Sequence, residues 1–245
     1  MLFRHEKPSF YDLHLHILPG MDDGAQDLKM SVSMLREEIR QGCDGLIATP
    51  HYYPTESIPA FLKRRQQAFD DLRGYLQKEI PDWTDRIGLG AEAAYHNGLV
   101  CDPDLEKLCF GHSRYLLLEM PFEKWTSGTL RDVRTLIANG IRPIIAHLER
   151  FPEYAGEGAI EELLEMDVLI QMNSGALLHR SSHRRALTMV KNGITQVMGT
   201  DSHNMDTRCP NMEEGLKALR KAHLGHQADE IVDNNAAIYQ AAMWN

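Results

Sequence analysis

Two rhythms of apolar and polar positions alternate along this chain. From Tyr11 to Ile17 the period is two: Leu13, Leu15 and Ile17 alternate with His14 and His16. Side chains two apart on a strand share a face, so the two imidazoles point the same way, roughly 7 Å apart along the backbone. Pro19 and Gly20 end that strand, and Asp22-Asp23-Gly24 makes a carboxylate-bearing turn. The period then lengthens. Met30, Met34, Leu35 and Ile39 have helical spacing behind Asp27 as N-cap, and Gly42 stops the helix.

The two rhythms continue to the end of the chain. Gly45 to Pro50 predicts a short buried strand that ends at His51, and Ile58 to Ile80 a long amphipathic helix. Arg86 to Leu89 leads a third strand into Gly90-Ala91-Glu92, and Cys101 to Leu108 reads as a short helix. Strands follow at Tyr115 to Glu119, Arg142 to His147, Val168 to Met172 and Thr195 to Gly199. Helices are expected at Thr126 to Asn139, Ala159 to Met166, Ser182 to Asn192, Met212 to Ala222 and His226 to Met243. Strand and helix alternating seven times implies parallel strands.

An open doubly wound sheet and a closed barrel both satisfy that order. The positions of the polar residues separate them. His14 and His16, His51, Glu92, Glu119, His147, and Asp201 with His203 fall at or just beyond the C-terminal ends of strands. Across an open seven-stranded sheet they would spread over roughly 28 Å, at about 4.8 Å per strand. Closure brings them round one mouth, where barrel enzymes keep their active sites. The expected architecture is a distorted (β/α)7 barrel forming a single domain over residues 1–245, a length and a 43% hydrophobic content that suit one large core.

Composition narrows the function. The net charge of −9 argues against a nucleic-acid surface. Met1 to Phe10 carries Arg4, His5, Glu6 and Lys7 without an apolar core, so no signal peptide is expected. No apolar run approaches the roughly 20 residues of a membrane helix. Cys43, Cys101, Cys109 and Cys209 are scattered, which suits reduced thiols and a cytoplasmic location. None has an arginine six positions later, as a thiol phosphatase would, and Ser174 lies in Asn-Ser-Gly rather than a nucleophile elbow.

The candidate metal ligands are His14, His16, Asp23, His51, Glu92, Glu119, His147, Asp201 and His203: five imidazoles and four carboxylates. A catalytic metal takes three or four protein ligands and keeps a position open. Nine donors with one bridging carboxylate therefore suit two or three ions.

These residues, in the settings Asp-Leu-His-Leu-His, Ala-Thr-Pro-His (48–51), Ala-His-Leu-Glu-Arg (146–150) and Gly-Thr-Asp-Ser-His (199–203), resemble the PHP (polymerase and histidinol phosphatase) metallohydrolases. The likeness is strongest to their bacterial protein-tyrosine phosphatase branch of capsule and exopolysaccharide systems. It runs from about Tyr11 to Arg208. It implies three divalent ions, with manganese expected and iron, zinc or magnesium as alternatives. It groups His14, His16, Glu92 and Asp201; then Glu92 as a bridge with Glu119 and His147; then Asp23, His51 and His203. Asp22 remains the alternative to Asp23. Arg150 and Arg208 are implied as phosphate donors, and His203 or an aspartate such as Asp23 as the source of a proton.

The activity implied is hydrolysis of a phosphotyrosine monoester by an ion-activated water. Its expected substrate is the phosphotyrosine tail of a bacterial tyrosine kinase governing polysaccharide export, with no nucleic-acid partner and no membrane insertion. A phosphatase for a small metabolite such as histidinol phosphate is the runner-up, and a non-enzymatic metal-stabilised PHP module the rival from another class. Four carboxylates and three divalent ions leave the site about two charges positive, which reconciles an acidic chain with an anionic substrate. Tyr52, Tyr53, Phe122, Trp125 and Phe151 follow strand ends and fit either an aryl pocket or ordinary rim packing.

Overall fold

The computed structural model describes residues 9–244, so the charged start of the chain lies outside it except for Ser9 and Phe10. Among the described residues nine strand segments run in parallel: β1 (Phe10–Leu15), β2 (Cys43–Ala48), β3 (His51–Tyr52), β4 (Ile87–Leu89), β5 (Glu92–Ala94), β6 (Tyr115–Glu119), β7 (Arg142–Ile145), β8 (Leu169–Asn173) and β9 (Val197–Gly199). They occupy the seven expected strand positions, because the second and third strands are each broken in two. β1, β2 and β4 pair as one sheet, and β3, β5, β6, β7, β8 and β9 as another.

The breaks have local causes. Pro50 has no N–H, so the ladder cannot run on from β2 into β3. Gly90 sits between β4 and β5, where a Cβ would stand 2.5 Å from the Phe110 ring. Backbone bonds from Gly90 to Ala48 (2.9 Å) and from Glu92 to Pro50 (3.1 Å) carry the chain across the kink. The far seam closes on β1. Leu15 bridges to Ser202, His16 N–H donates to the Ser202 carbonyl at 2.9 Å, and Asp201 N–H donates to that of His14 at 2.7 Å. The expected barrel is present in this distorted form.

The helices are α1 (Leu28–Gln41), α2 (Ile58–Glu79), α3 (Ser127–Ala138), α4 (Ala159–Leu164), α5 (His183–Lys191), α6 (Met212–Lys221) and α7 (Gly225–Met243). Asp27 caps α1 by accepting from Met30 N–H at 2.8 Å, and Gly42 ends it at φ +105°, in the left-handed region. The helix expected over Cys101 to Leu108 is not formed. Two 3₁₀ turns, Leu99–Cys101 and Leu105–Leu108, stand there, so alternation lapses between the third and fourth strand positions. Pro103 lies between them, and Asp102 uses its carboxylate to turn the chain onto Asp104 N–H at 2.8 Å.

α7 closes one end of the barrel. Its Ile238, Tyr239 and Ala242 pack with Leu13, Ile47, Phe110, Leu117, Ile144 and Val197 from the strands and the loop before β6. Asn235 donates to the carbonyls of Tyr11 (2.8 Å) and Met198 (2.7 Å), satisfying backbone groups that would be orphaned in the plug. Full burial of a side chain such as Phe110 contributes ~1.5–3 kcal/mol. Toward the strand C-termini the lining becomes polar: along β6 it passes from Leu117 to Glu119, and β8 presents Gln171 and Asn173. No helix of the described residues is long and apolar enough to cross a membrane.

Candidate active site

The polar end of the barrel gathers all nine candidate donors. His14 lies near the end of β1 and His16 just past it; His51 and Glu92 open β3 and β5 just past the two kinks; Glu119 ends β6; His147 follows β7; Asp201 and His203 follow β9. Asp23 reaches in from the turn after β1. His147 and Asp201 adopt left-handed backbone, φ +31° and +52°, a conformation uncommon outside glycine and held here by surrounding structure. The amide of His147 is pinned by Gln171 Oε1 at 2.7 Å. Gly199 leaves no room for a side chain, since a Cβ there would meet that of His14 at 2.5 Å.

The spacing of the donor atoms is that of a coordination shell. With bonds of about 2.1 Å, neighbouring ligands around one ion stand about 3.0 Å apart in an octahedron and about 3.4 Å in a tetrahedron. The Nε2 atoms of His14 and His16 are 3.4 Å apart; each lies 3.2 Å from Glu92 Oε2, and they lie 3.5 and 3.4 Å from Asp201 Oδ1. His147 Nε2 is 2.8 Å from Glu92 Oε1 and 3.5 Å from Glu119 Oε1. Asp23 Oδ1 is 3.3 Å from His203 Nε2 and 3.5 Å from His51 Nε2. His51 also turns Nδ1 to Glu92 Oε2 at 3.0 Å, so this ring stands between groups that the sequence resemblance keeps separate.

Three further observations fit cations. Glu92 Oε2, His51 Nδ1 and His203 Nε2 are buried without a hydrogen-bond partner among the described residues, which is costly unless something else engages them. Burial, and then the charge of Glu92, push the Glu119 carboxyl up to about 7, a crowding that bound cations relieve. Burial, and then the neighbouring His16, bring His203 down to about 4, which keeps its ring a neutral lone-pair donor.

The surroundings fix which atom each ring offers. Asp22 Oδ2 receives His16 Nδ1 at 2.7 Å and the His51 amide at 2.8 Å, and its Oδ1 receives the Gly24 amide at 2.9 Å. Saturated in this way, Asp22 orients His16, and Asp23 is the carboxylate that faces His51 and His203. Burial opposes ionisation of Asp22, yet these donors outweigh it and hold the carboxyl far below the usual range. Gln171 Oε1 lies 3.3 Å from His14 Nδ1, and its amide nitrogen donates to Asn173 at 2.9 Å, which in turn donates to Asp201 Oδ2 at 2.7 Å. Such outer contacts set tautomer and orientation in metal sites. Sequence reasoning passed over Gln171 and Asn173, although two amides at i and i+2 in an otherwise apolar strand were a readable signal.

Arg150 and Arg208 both grip Asp201, at 2.9 Å on Oδ2 and 2.7 Å on Oδ1, so the two guanidiniums flank the donor cluster. The aromatic residues divide. Tyr52, Trp125 and Phe151 are buried packing. Tyr53 and Phe122 are 44% and 47% exposed and lie over the rings of His51 and His147, with centroids 5.1 and 6.3 Å apart.

This combination of a distorted barrel and clustered donors has close counterparts. The profile of the family described as capsular polysaccharide synthesis, CpsB/CapC, matches residues 10–239. The chain belongs to the CpsB/CapC family. Among its relatives, the tyrosine-protein phosphatase YwqE of Bacillus subtilis is 31% identical over 93% of this chain and 90% of its own length. The tyrosine-protein phosphatase CpsB of Streptococcus pneumoniae is 29% identical over 91% and 95%. A crystal structure from work on those two proteins, described as unique metal-dependent tyrosine phosphatases, superposes with a TM-score of 0.81 at 28% identity, covering 94% of each chain. Outside the CpsB/CapC family, an organophosphorus hydrolase from Deinococcus radiodurans shares the fold, with a TM-score of 0.55 at 12% identity over 94% of this chain and 92% of that one.

Proposed function

We propose that this chain is a metal-dependent protein-tyrosine phosphatase acting in capsular or exopolysaccharide synthesis. The observation that carries the reading is the set of donor separations between 2.8 and 3.5 Å around Glu92, at the mouth of a fold shared with metal-dependent tyrosine phosphatases. His14, His16, Glu92 and Asp201 would hold one divalent ion, Glu92, Glu119 and His147 a second, and Asp23, His51 and His203 a third. Manganese is the ion we expect. When bound, the ions supply Lewis acidity and an activated water for attack on phosphorus.

The chain's own residues do the remaining work. Arg150 and Arg208 present planar donor forks toward equatorial phosphoryl oxygens. A phenolate leaves more readily than an alkoxide, so a strong acid is not required. Asp23, exposed over 66% of its side chain, and solvent serve the proton that follows, whereas His203 is buried and neutral. The proposed setting is the cytoplasm and the proposed substrate the phosphorylated tail of a bacterial tyrosine kinase.

The test is a comparison of kcat/KM on one peptide bearing phosphotyrosine or phosphoserine, and on histidinol phosphate, with manganese present. Phosphotyrosine is expected to win. Histidinol phosphate turned over orders of magnitude faster would leave the metal centre standing and sink the assignment.

Arg150→Ala and Arg208→Ala are each expected to lower turnover of the phosphotyrosyl peptide by about 10²-fold, the scale of losing one donor to a developing oxyanion. Bound metal, measured by elemental analysis, should be retained. Unchanged kinetics would reduce both residues to anchors of Asp201.

A further inference from the structure

Between Asp167 and Asp201 the sequence contains no acidic residue, although the chain as a whole carries a net charge of −9. The same stretch holds Arg180, Arg184, Arg185 and Lys191, all exposed. Arg180, Arg184 and Lys191 form no ion pair or side-chain hydrogen bond with the described residues. Solvated lysines and arginines are common on any surface, so their position matters more than their number.

The N-terminal end of α5 stands beside the catalytic mouth. Arg185 Nη1 donates to the Glu149 carbonyl at 2.8 Å, which ties α5 to the residue preceding Arg150. A cavity of about 190 Å³ opens between Arg150, Arg208, His179 and Ser182. The next residue, His183, lines a second groove of about 530 Å³ with Arg184, Leu187 and Lys191.

The helix itself argues against an incidental arrangement. Cations at a helix N-terminus oppose the macrodipole, and acidic side chains or a capping hydroxyl are the stabilising choice there. α5 opens with His183-Arg184-Arg185, has no acidic residue in its first turn, and receives no side-chain cap because the Ser182 hydroxyl donates to Ala176 instead. A local rule broken without an evident structural gain is expected where function requires it. Positive side chains and the positive helix end add to one field pointing outward next to the phosphate donors.

We propose that this basic face, which carries Arg180 and Arg184, docks a phosphotyrosyl chain through an acidic stretch next to the reacting residue. The inference rests on the tyrosine-phosphatase reading for its substrate, but the surface can be tested without turnover. Arginine clusters of this kind suit carboxylates and phosphates on a flexible segment. The face supplies the attraction that the bulk charge of the enzyme would deny an anionic substrate.

Two measurements test it on the full-length, manganese-loaded protein and on the double variant Arg180→Ala/Arg184→Ala. The first is fluorescence anisotropy of an unphosphorylated peptide rich in Asp and Glu around one tyrosine. The wild type should bind it several-fold more tightly than a neutral peptide, and the variant and high salt should each erase the difference. The second is kcat/KM on phosphotyrosyl peptides with acidic or neutral flanks, and on free phosphotyrosine. The acidic flank should raise kcat/KM by about five- to tenfold in the wild type, through KM, and not in the variant. Free phosphotyrosine, which reaches only the mouth, should be hydrolysed alike by both.

Equal binding of acidic and neutral peptides would overturn the proposal, as would an equal loss on free phosphotyrosine. So would a variant that loses binding to anionic lipid vesicles while keeping the peptide preference. An acidic peptide bound through Arg180 and Arg184 by a protein inactive on phosphotyrosine would uphold the surface and reject the phosphatase reading.

Discussion

Exhaustive chelation is expected to abolish hydrolysis of a phosphotyrosyl peptide, by at least about a thousandfold, and added manganese to restore it. The magnitude follows from the nucleophile. Bulk water has a pKa of 15.7, and ion binding brings it near 7, so without ions almost no hydroxide is available at neutral pH. Among the described residues no cysteine joins the donor groups to replace it. Cys43 and Cys109 are buried, and burial raises both thiols, that of Cys109 to about 12. Cys209 lines the cavity beside Arg208, yet no arginine follows it at thiol-phosphatase spacing. Cys209→Ser should therefore keep wild-type turnover with metal present. Activity that survives chelation and disappears with Cys209→Ser would refute the mechanism.

Glu92→Gln is expected to be the most damaging single carboxylate change. Its Oε2 faces His14, His16 and His51, and its Oε1 faces His147, so the two oxygens serve two groups of donors. Four nearby histidines and Asp201 would remain, but the amide offers one weak acceptor where two anionic oxygens stood. Elemental analysis should show a loss of more than one equivalent of metal, and turnover should fall to near the chelated level. The rise in melting temperature on adding manganese should shrink as well, since stabilisation by a ligand follows its occupancy. Full metal content in Glu92→Gln would remove the bridging role. The rest of the site would then need to be redrawn around His51, which also spans two groups.

Much of this site is legible in the sequence because strand ends are. His14 and His16 alternate with Leu13 and Leu15, and Glu119 and Asp201 follow apolar runs short enough to be buried strands. Closure of the barrel followed from asking that those ends share one site. What escaped depends on contacts distant in sequence or on turn geometry. The second strand reads as running through Pro50 to His51 and the third as running through Gly90 to Glu92, whereas Pro50 and Gly90 are kinks that hand the chain from one sheet to the other. Asp22 and Asp23 are equivalent on paper. Only the folded turn shows the first saturated by donors from His16, Gly24 and His51, and the second turned toward His51 and His203. Tyr53 and Phe122 separate from Tyr52, Trp125 and Phe151 only through burial, which a residue type cannot reveal. The lapse of alternation after β5 reflects Pro103 and the Asp102 turn, local chemistry that outweighed helical spacing.

The seam between β1 and the end of β9 also orders events in time. Leu15 and Ser202 meet across nearly the whole described chain, and that meeting brings Asp201 to His14 and His16. Contacts of such long sequence separation bear the largest loop-closure cost and form late in folding. During synthesis the histidine pair therefore emerges long before the aspartate that completes its group. A ribosome-bound fragment can build β1 to β6 and still lack a finished first site. Completing the groups that need Asp201 and His203 is thus a step of the almost complete polypeptide, and its timing is written into the order of the strands.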